Sequence, residues 1–161
     1  MSLFSIFYYL VLSFIYILAI PYLIFKSRNS KYRQAIPAKF FLKDNVPFKE
    51  NGIWFHSCSM GETKAIKPLI DNYKEFANIS VITNTGFDEA LSITSNVRYL
   101  PFEIFLPFWI NKQKVLVVME AELWYMLFLF AKKKGAKTFL INARISDKSY
   151  KSYKRFSFFY K

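Results

Sequence analysis

Two acidic residues in this sequence follow short apolar runs, where a carboxylate is a candidate general base for a bound ligand. Glu62 follows the apolar stretch 53–57 after a short turn, and Glu120 comes directly after the run Val115–Met119. Glu62 alone also fits a simpler interpretation, because the helix dipole stabilises acidic residues in a first helical turn. A carboxylate stabilised in this way would also be a weaker base. The residues alone leave both interpretations open.

The turn before Glu62 has the composition of a ligand-binding turn. Ser57, Ser59 and Gly61 are small, and a flexible turn between a strand and a helix leaves backbone N–H groups free to meet an oxygen-rich ligand. We interpret His56, which lies in the strand, as a hydrogen-bonded structural residue rather than a catalytic one. Cys58 is interpreted as a small buried hydrophobe rather than a nucleophile.

The spacing of Glu120 and Glu122 would suit a pair of metal ligands, but no His or Asp follows them at ligand spacing. We therefore expect no metal and no cofactor. A carboxylate that directly follows an apolar strand is better placed for function, which favours Glu120 over Glu122.

Short apolar runs alternate with stretches of helical period after residue 51, and no internal repeat is visible. This alternation predicts a parallel sheet with helices on both faces, an α/β fold of Rossmann-like type. Gly135 is typical of a helix C-terminus. The predicted strands are Ile53–Ser57, Ile79–Thr83, Val97–Leu100, Val115–Met119 and Phe139–Asn142, and helices are predicted at Thr63–Phe76 and near 88–94, 105–111, 121–133 and 147–161.

Ligands of such sheets bind beyond the carboxyl ends of the strands, where the strand order reverses. For the common order 3-2-1-4-5, that point lies between the first and fourth strands, so Glu62 and Glu120 are expected to face one crevice. Thr85 and Gly86, after the second strand, and Arg144, after the fifth, would line the same edge. Arg144 either pairs with a carboxylate or binds a ligand phosphate, and its spacing does not decide between them.

The N-terminal segment Leu3–Phe25 contains no charged residue and is long enough to cross a bilayer as a helix. It lacks the basic start and small-residue end of a cleaved signal peptide, so we interpret it as a membrane anchor. We favour a spanning helix over one that lies in the interface. Lys26, Arg28 and Lys31 follow it, and the positive-inside rule then places the rest of the chain in the cytoplasm.

A formal net charge of +12 calls for an anionic partner. Beside a membrane anchor, anionic lipid headgroups or a phosphorylated lipid substrate explain this charge better than a nucleic acid. The sequence contains no zinc-ligand spacing, RNA-binding signature or P-loop. The single cysteine agrees with a cytoplasmic location, because no disulfide can form within the chain.

Five short blocks occur together in one order: "FHSCSMGE", "TNTG", "LPFE", "MEAELW" and "NARISDKSYKSY". With the apolar N-terminal segment, they make the chain resemble the 3-deoxy-D-manno-octulosonic acid (Kdo) transferases of lipopolysaccharide synthesis. Met60 and Tyr125 stand where this family often has Val and Pro, and "TNTG" lacks a proline common in that block. Both glutamates remain in place.

The resemblance implies a GT-B glycosyltransferase with two Rossmann-like domains. The N-terminal domain would meet the acceptor, a bisphosphorylated lipid A precursor (lipid IVA), and the C-terminal domain would hold CMP-Kdo. Glu62 matches the glutamate taken as the base that deprotonates the acceptor hydroxyl. Glu120 matches the residue taken to stabilise the transition state. Transfer would invert the anomeric centre, at the cytoplasmic face of the inner membrane.

We therefore expect an anchor over residues 1–26, a basic connector over 27–51 and a Rossmann-like acceptor domain over 52–161. The donor domain of the resemblance is absent from these 161 residues. The expected activity is Kdo transfer, for which this chain would need a C-terminal partner domain. The alternative is a non-catalytic membrane-bound module that binds anionic lipid.

Overall fold

A five-stranded sheet forms the centre of the structure, a computed structural model that describes residues 2–120, 124–143, 150 and 154–155. Each strand pairs in parallel with its neighbours, in the order β3-β2-β1-β4-β5. The predicted parallel sheet and its strand order are confirmed. The strands are β1 (Ile53–Ser57), β2 (Ala77–Val81), β3 (Val97–Tyr99), β4 (Val115–Met119) and β5 (Lys137–Ile141).

Helices cover both faces of the sheet, as the alternating pattern predicts. Phe55 points to one face and packs in a buried cluster with Ile66, whereas its neighbour Trp54 points to the other face and packs with Leu116 and Met126. The helices are α1 (Leu3–Ser27), α2 (Ala35–Phe41), α3 (Met60–Asp71), α4 (Asn84–Leu91), α5 (Leu106–Trp109) and α6 (Tyr125–Lys133), with 3-10 turns at Ser30–Tyr32, Lys74–Phe76 and Glu103–Phe105.

Helices α3 and α4 begin earlier than the apolar pattern predicts, because polar side chains cap them. The Ser59 side chain accepts a hydrogen bond from the backbone N–H of Glu62, and the Thr83 side chain accepts one from Gly86. Such caps satisfy backbone donors that have no partner within the helix. Both caps lie at the carboxyl edge of the sheet, so they also shape the predicted crevice.

The segment 27–51, predicted as a connector, packs against the sheet through α2. Ala35 and Ala38 of α2 are buried in the same cluster as Phe55. The buried Asn45 side chain donates to the backbone oxygens of Ala38 and Tyr99, at 3.0 and 2.9 Å. These contacts join α2 to the end of β3 and bring a basic part of the chain to the carboxyl edge.

Among the described residues, one helix is long and apolar enough to cross a membrane, and this is α1. It has 25 residues and contains Pro21, and Lys26 lies in its last turn. Three features named from sequence lie wholly or mostly outside the described residues: Glu122, Arg144 and the predicted C-terminal helix, of which residues 150 and 154–155 alone are described.

Candidate active site at the carboxyl edge of the sheet

Glu62 and Glu120 lie at the same edge of the sheet, beyond two neighbouring strands. β1 and β4 pair in parallel, with His56 opposite Val118. The turn to α3 leaves β1 after Ser57, and Glu120 leaves β4 one step beyond Met119. This edge lies between β1 and β4, where the strand order reverses, which is the position that open α/β sheets use for ligands.

Both carboxylate oxygens of Glu62 accept hydrogen bonds from the turn that precedes them. Oε2 accepts from the backbone N–H of Cys58 at 2.8 Å, and Oε1 accepts from the Ser59 hydroxyl at 2.8 Å. The arrangement is a form of capping box, which joins a residue before the helix to an acidic residue in its first turn. Glu62 thus has the helix-start role that the simpler interpretation gives it. Each oxygen keeps a second lone pair for a ligand.

Glu120 has a left-handed backbone conformation, with a φ of 62°. Its backbone N–H donates to the oxygen of Ile141, the last residue of β5, at 2.9 Å. Asn142, also left-handed, follows Ile141 and places its side-chain amide 3.5 Å from Glu120 Oε1. Left-handed residues other than glycine are uncommon and cost free energy, and they are concentrated at functional sites. This left-handed conformation at Glu120 directs the chain away from β4, which ends at Met119.

The three predicted binding residues of the first turn differ in accessibility. Ser57 is buried, and its hydroxyl lies 2.8 Å from that of Thr63, which itself donates to the Ser59 backbone oxygen. Ser59 is half-buried and is engaged by Glu62. Gly61 is exposed. Of the three, Gly61 is thus the most exposed at this edge, beside the half-buried Glu62.

The N-terminus of α4 lies beside that of α3. A Cβ added to Gly86 would lie 3.3 Å from the backbone carbon of Ser59, so this close approach depends on glycine. The Thr83 hydroxyl bridges the two turns, since it donates to the Cys58 oxygen at 3.1 Å and accepts from the Gly86 N–H. Thr85 is exposed. Two adjacent helix N-termini favour negative charge, and they make this edge suitable for an anionic ligand.

Lys39 of α2 also reaches this edge, although no sequence pattern marks it as a site residue. Its ammonium group donates to the backbone oxygen of Ile82, just beyond β2, at 3.1 Å. Burial lowers the pKa of Lys39, and the nearby Cys58 side chain offsets part of that shift. In the sequence, Lys39 is one of several basic residues after the apolar segment, and no local signal separates it from them.

His56 has the structural role predicted for it. It is fully buried in β1, and its Nδ1 lies 2.8 Å from the Ser80 hydroxyl, which also accepts a hydrogen bond from the Trp54 indole. Burial lowers the pKa of His56 to about 4, so the ring is neutral at pH 7. Its place is inside the sheet, away from the solvent-facing side of the crevice.

A metal ion has no evident place among the described residues, since no three His, Cys, Asp or Glu side chains group together there. Glu122 and Arg144 lie outside the described residues, so their positions at this edge stay predictions. The described edge thus combines two carboxylates, two helix N-termini and one partly buried ammonium group.

A sequence profile of the family described as 3-deoxy-D-manno-octulosonic-acid transferase (kdotransferase) matches residues 27–161. A 3-deoxy-D-manno-octulosonic acid transferase of Chlamydia pneumoniae is 30% identical over 166 residues, which cover 94% of this chain and 38% of that protein. One of Rickettsia felis is 36% identical over 66% of this chain and 26% of its own length.

A bifunctional glycosyltransferase/methyltransferase of Fusobacterium nucleatum is also similar, with 32% identity over 70% of this chain and 20% of that protein. The chain thus spans less than two fifths of the length of each of these curated relatives. The profile covers the sheet, α2 to α6 and both glutamates. The chain belongs to the 3-deoxy-D-manno-octulosonic-acid transferase family.

Proposed function

We propose that this chain is the acceptor-side domain of an inverting glycosyltransferase, which transfers Kdo from CMP-Kdo to the lipid A precursor lipid IVA. One observation carries the proposal: Glu62 and Glu120 lie beyond two neighbouring strands, at the edge where the strand order reverses. CMP-Kdo would bind to a second, C-terminal domain, as the family resemblance implies. The chain alone is then expected to be inactive.

Glu62 is the base in this proposal. Its carboxylate takes the proton from an acceptor hydroxyl, and the oxygen then forms a bond to the anomeric carbon of Kdo. The bond from that carbon to the CMP phosphate breaks, and its electron pair leaves with CMP. Attack from the side opposite to CMP inverts the anomeric centre. The bonds from Cys58 and Ser59 hold the carboxylate in one orientation, which such a base requires.

Glu120 stabilises the transition state, and its left-handed backbone holds the carboxylate at the end of β4. Anionic groups of the acceptor would bind at the N-termini of α3 and α4, near Gly61, Thr85 and Gly86. Lys39 supplies a positive charge at the same edge. Arg144 is the further candidate for a phosphate of the acceptor. These assignments suit a bisphosphorylated lipid.

The proposed location is the cytoplasmic face of the inner membrane, with α1 as the anchor. Lys26, Arg28, Lys31 and Arg33 follow the apolar part of α1, and basic residues next to a membrane segment favour the cytoplasmic side and anionic lipids. The acceptor is itself a lipid, so a membrane-bound domain would meet it without extracting it from the bilayer. No nucleic acid is expected as a partner.

The test supplies the full chain with a C-terminal donor domain from a family relative, CMP-Kdo and lipid IVA. We expect Kdo transfer, reduced by at least about a hundredfold in Glu62→Gln, because general bases typically contribute that much or more. Asp71→Asn is the matched control, since it neutralises an exposed carboxylate at the other end of α3. Unimpaired transfer by Glu62→Gln would refute the base assignment.

The alternative function is a non-catalytic module that binds anionic lipid, which the charge of +12 favours. It predicts no transfer with any donor domain. It also predicts that the chain binds vesicles of any anionic lipid, and that changes at Glu62 and Glu120 do not affect this binding. Binding restricted to lipid A-like glycolipids would instead support the transferase.

A further inference from the structure

Helix α1 has two different faces, although nearly all of it is apolar. Its half-buried and buried residues follow helical spacing and form the contact face, which packs on the domain. This face holds most of the polar side chains of α1. The contact face comprises Phe4, Ser5, Tyr8, Tyr9, Leu12, Ser13, Tyr16, Ala19, Ile20, Leu23, Lys26 and Ser27.

The outer face of α1 is exposed and consists almost entirely of large apolar side chains. Phe7, Phe14 and Phe25 are 64, 63 and 72% exposed. An apolar surface of this length on a folded domain indicates a partner that is itself apolar. The outer face comprises Leu3, Ile6, Phe7, Leu10, Val11, Phe14, Ile15, Ile17, Leu18, Pro21, Tyr22, Ile24 and Phe25.

Polar bonds fix the contact face to the domain near the start of α1. The Ser5 hydroxyl lies 2.7 Å from the Tyr125 hydroxyl, at the start of α6. The Tyr8 hydroxyl donates to the carboxylate of Glu103. The docking is therefore built from specific hydrogen bonds, which a helix surrounded by lipid on all sides does not make.

Further contacts continue along the helix. The Tyr9 hydroxyl donates to the Ile104 backbone oxygen at 3.0 Å, and the Tyr16 hydroxyl donates to that of Phe40 in α2. Leu23 is buried as well. Ser5 and Leu23 are 18 residues apart, which corresponds to about 27 Å along a helix. The contact face thus extends over almost the whole thickness of a bilayer's hydrocarbon core, about 30 Å.

A perpendicular crossing conflicts with these contacts. Tyr16 is near the middle of α1, so it would lie near the centre of the bilayer. Its partner helix α2 would then lie at the same depth, together with Lys39, and the buried carboxylate of Glu103 would also enter the hydrocarbon. Charged groups at that depth are costly.

We infer that α1 lies along the membrane surface and inserts its outer face into a single leaflet rather than crossing the bilayer. The partner is an anionic lipid leaflet, because the exposed Arg28, Lys31 and Arg33 follow the end of α1 and suit anionic headgroups. Helices of this kind sit about 5–10 Å deep, at the boundary of headgroups and acyl chains. Both ends of α1 are then on the side of the membrane that holds the domain.

Depth measurement tests the orientation directly and needs no transferase activity. Tryptophan is placed singly at Phe7, Phe14 or Phe25 in the full chain, bound to phosphatidylethanolamine–phosphatidylglycerol vesicles with lipids brominated at shallow or deep acyl positions. The unsubstituted chain gives the background of the three native tryptophans, of which Trp54 and Trp109 are buried and Trp124 is half-buried. We expect similar, shallow quenching at all three positions. Quenching of Phe14→Trp chiefly by deep bromines, with Phe7→Trp and Phe25→Trp quenched chiefly by shallow ones, would overturn the inference.

Topology gives a second readout. The native thiol is first removed by Cys58→Ser. Ser2→Cys then marks the N-terminus and Lys67→Cys marks the domain, and a membrane-impermeant maleimide shows on which side of the membrane each position lies. Both are expected to react from the same side in inside-out inner-membrane vesicles. Labelling of the two positions from opposite sides would show that α1 crosses.

The outer face is tested by Phe14→Asp, with Leu69→Asp on the exposed surface of α3 as the matched control. We expect Phe14→Asp to lower the partition coefficient for the vesicles by at least about tenfold, and Leu69→Asp to change it little. Replacing phosphatidylglycerol by phosphatidylcholine is expected to weaken binding. Equal effects of the two substitutions would contradict the assignment. So would a stable dimer that keeps the introduced tryptophans unquenched by vesicles, which would assign the face to a second copy.

Discussion

The Ser59 hydroxyl donates to Glu62 Oε1 at 2.8 Å, and the Glu62 backbone N–H donates back to Ser59 Oγ at 3.3 Å. This reciprocal pair starts α3 and fixes the carboxylate in the same arrangement. The two interpretations of Glu62 are therefore compatible, because the hydrogen bonds that cap the helix also hold the carboxylate in one orientation. They differ in how much Glu62→Gln is expected to change the stability of the chain and how much it is expected to change transfer.

Glu62→Gln is expected to lower the free energy of unfolding by about 1 kcal/mol, through a weakened cap and the loss of a charge near the helix N-terminus. Asp71→Asn should cost about 0.3 kcal/mol, since its pair with Lys67 is exposed. Urea unfolding of the chain in detergent measures both. A loss above about 3 kcal/mol for Glu62→Gln would mean that reduced transfer reports on folding rather than on a missing base.

Glu120→Gly should raise the free energy of unfolding by about 0.5–1 kcal/mol, because glycine adopts a positive φ without strain. The same change should abolish most transfer in the reconstituted enzyme. Asn51→Gly is a suitable control, since Asn51 is also left-handed but lies at the other end of β1. Asparagine tolerates this conformation better, so a smaller gain is expected there. Full transfer by Glu120→Gly would exclude a catalytic carboxylate at this position.

Lys39→Met keeps the length of the side chain and removes its charge. If the ammonium group binds an anionic part of the acceptor, KM for the acceptor should rise by about tenfold with a smaller change in kcat. Lys43→Met, at an exposed position in the same segment, is the control. Steady-state transfer kinetics measure both variants. An equal rise in both would point to general attraction of the anionic lipid.

His56 is the single histidine of the chain, so one NMR titration reports on it without ambiguity. Its pKa is lowered from 6.5 to about 4 by burial. Between these values the unfolded chain binds a proton that the folded chain does not, so stability is fully present above pH 6.5 and falls as the pH is lowered toward about 4. The loss amounts to about 3 kcal/mol. A midpoint near 6.5 in the folded chain would contradict this burial.

Glu103 should show the opposite pH dependence. Burial raises its pKa above the ordinary value of 4.5, while bonds from Tyr8 and Met126 partly oppose that shift. The folded chain then holds the proton more tightly than the unfolded one, and this contribution to stability is lost as the pH rises through the raised pKa. Glu103→Gln should therefore gain stability relative to the unchanged chain as the pH rises from 4.5. Parallel urea titrations measure the difference, and a constant difference across that range would contradict the prediction.

The sequence was sufficient to predict the sheet and its strand order. The run Val115–Met119 is predicted at its observed bounds, because a strand covered on both faces is continuously apolar. The pairing of β1 with β4, which brings the two glutamates to one edge, followed from the common order of such sheets. Helix starts were less accurate, since the caps at Ser59 and Thr83 decide them and the apolar period does not register a cap.

Lys39 shows what sequence patterns omit. Its place at the crevice depends on Asn45, which joins α2 to the end of β3, and such a contact between distant residues leaves no periodic signal. The docking of α1 was missed for the same reason. A 25-residue apolar helix has the same sequence pattern whether it is surrounded by lipid or packs on a domain. The hydrogen-bond partners of its tyrosines distinguish the two cases.

The carboxylate of Glu103 joins two helices, because one oxygen accepts from Tyr8 of α1 and the other accepts from the backbone N–H of Met126 in α6 at 2.8 Å. Helix α6 begins just beyond the segment that follows Glu120. Docking of α1 therefore lowers the free energy of an ordered α6 start, and by linkage an ordered start holds α1 more firmly.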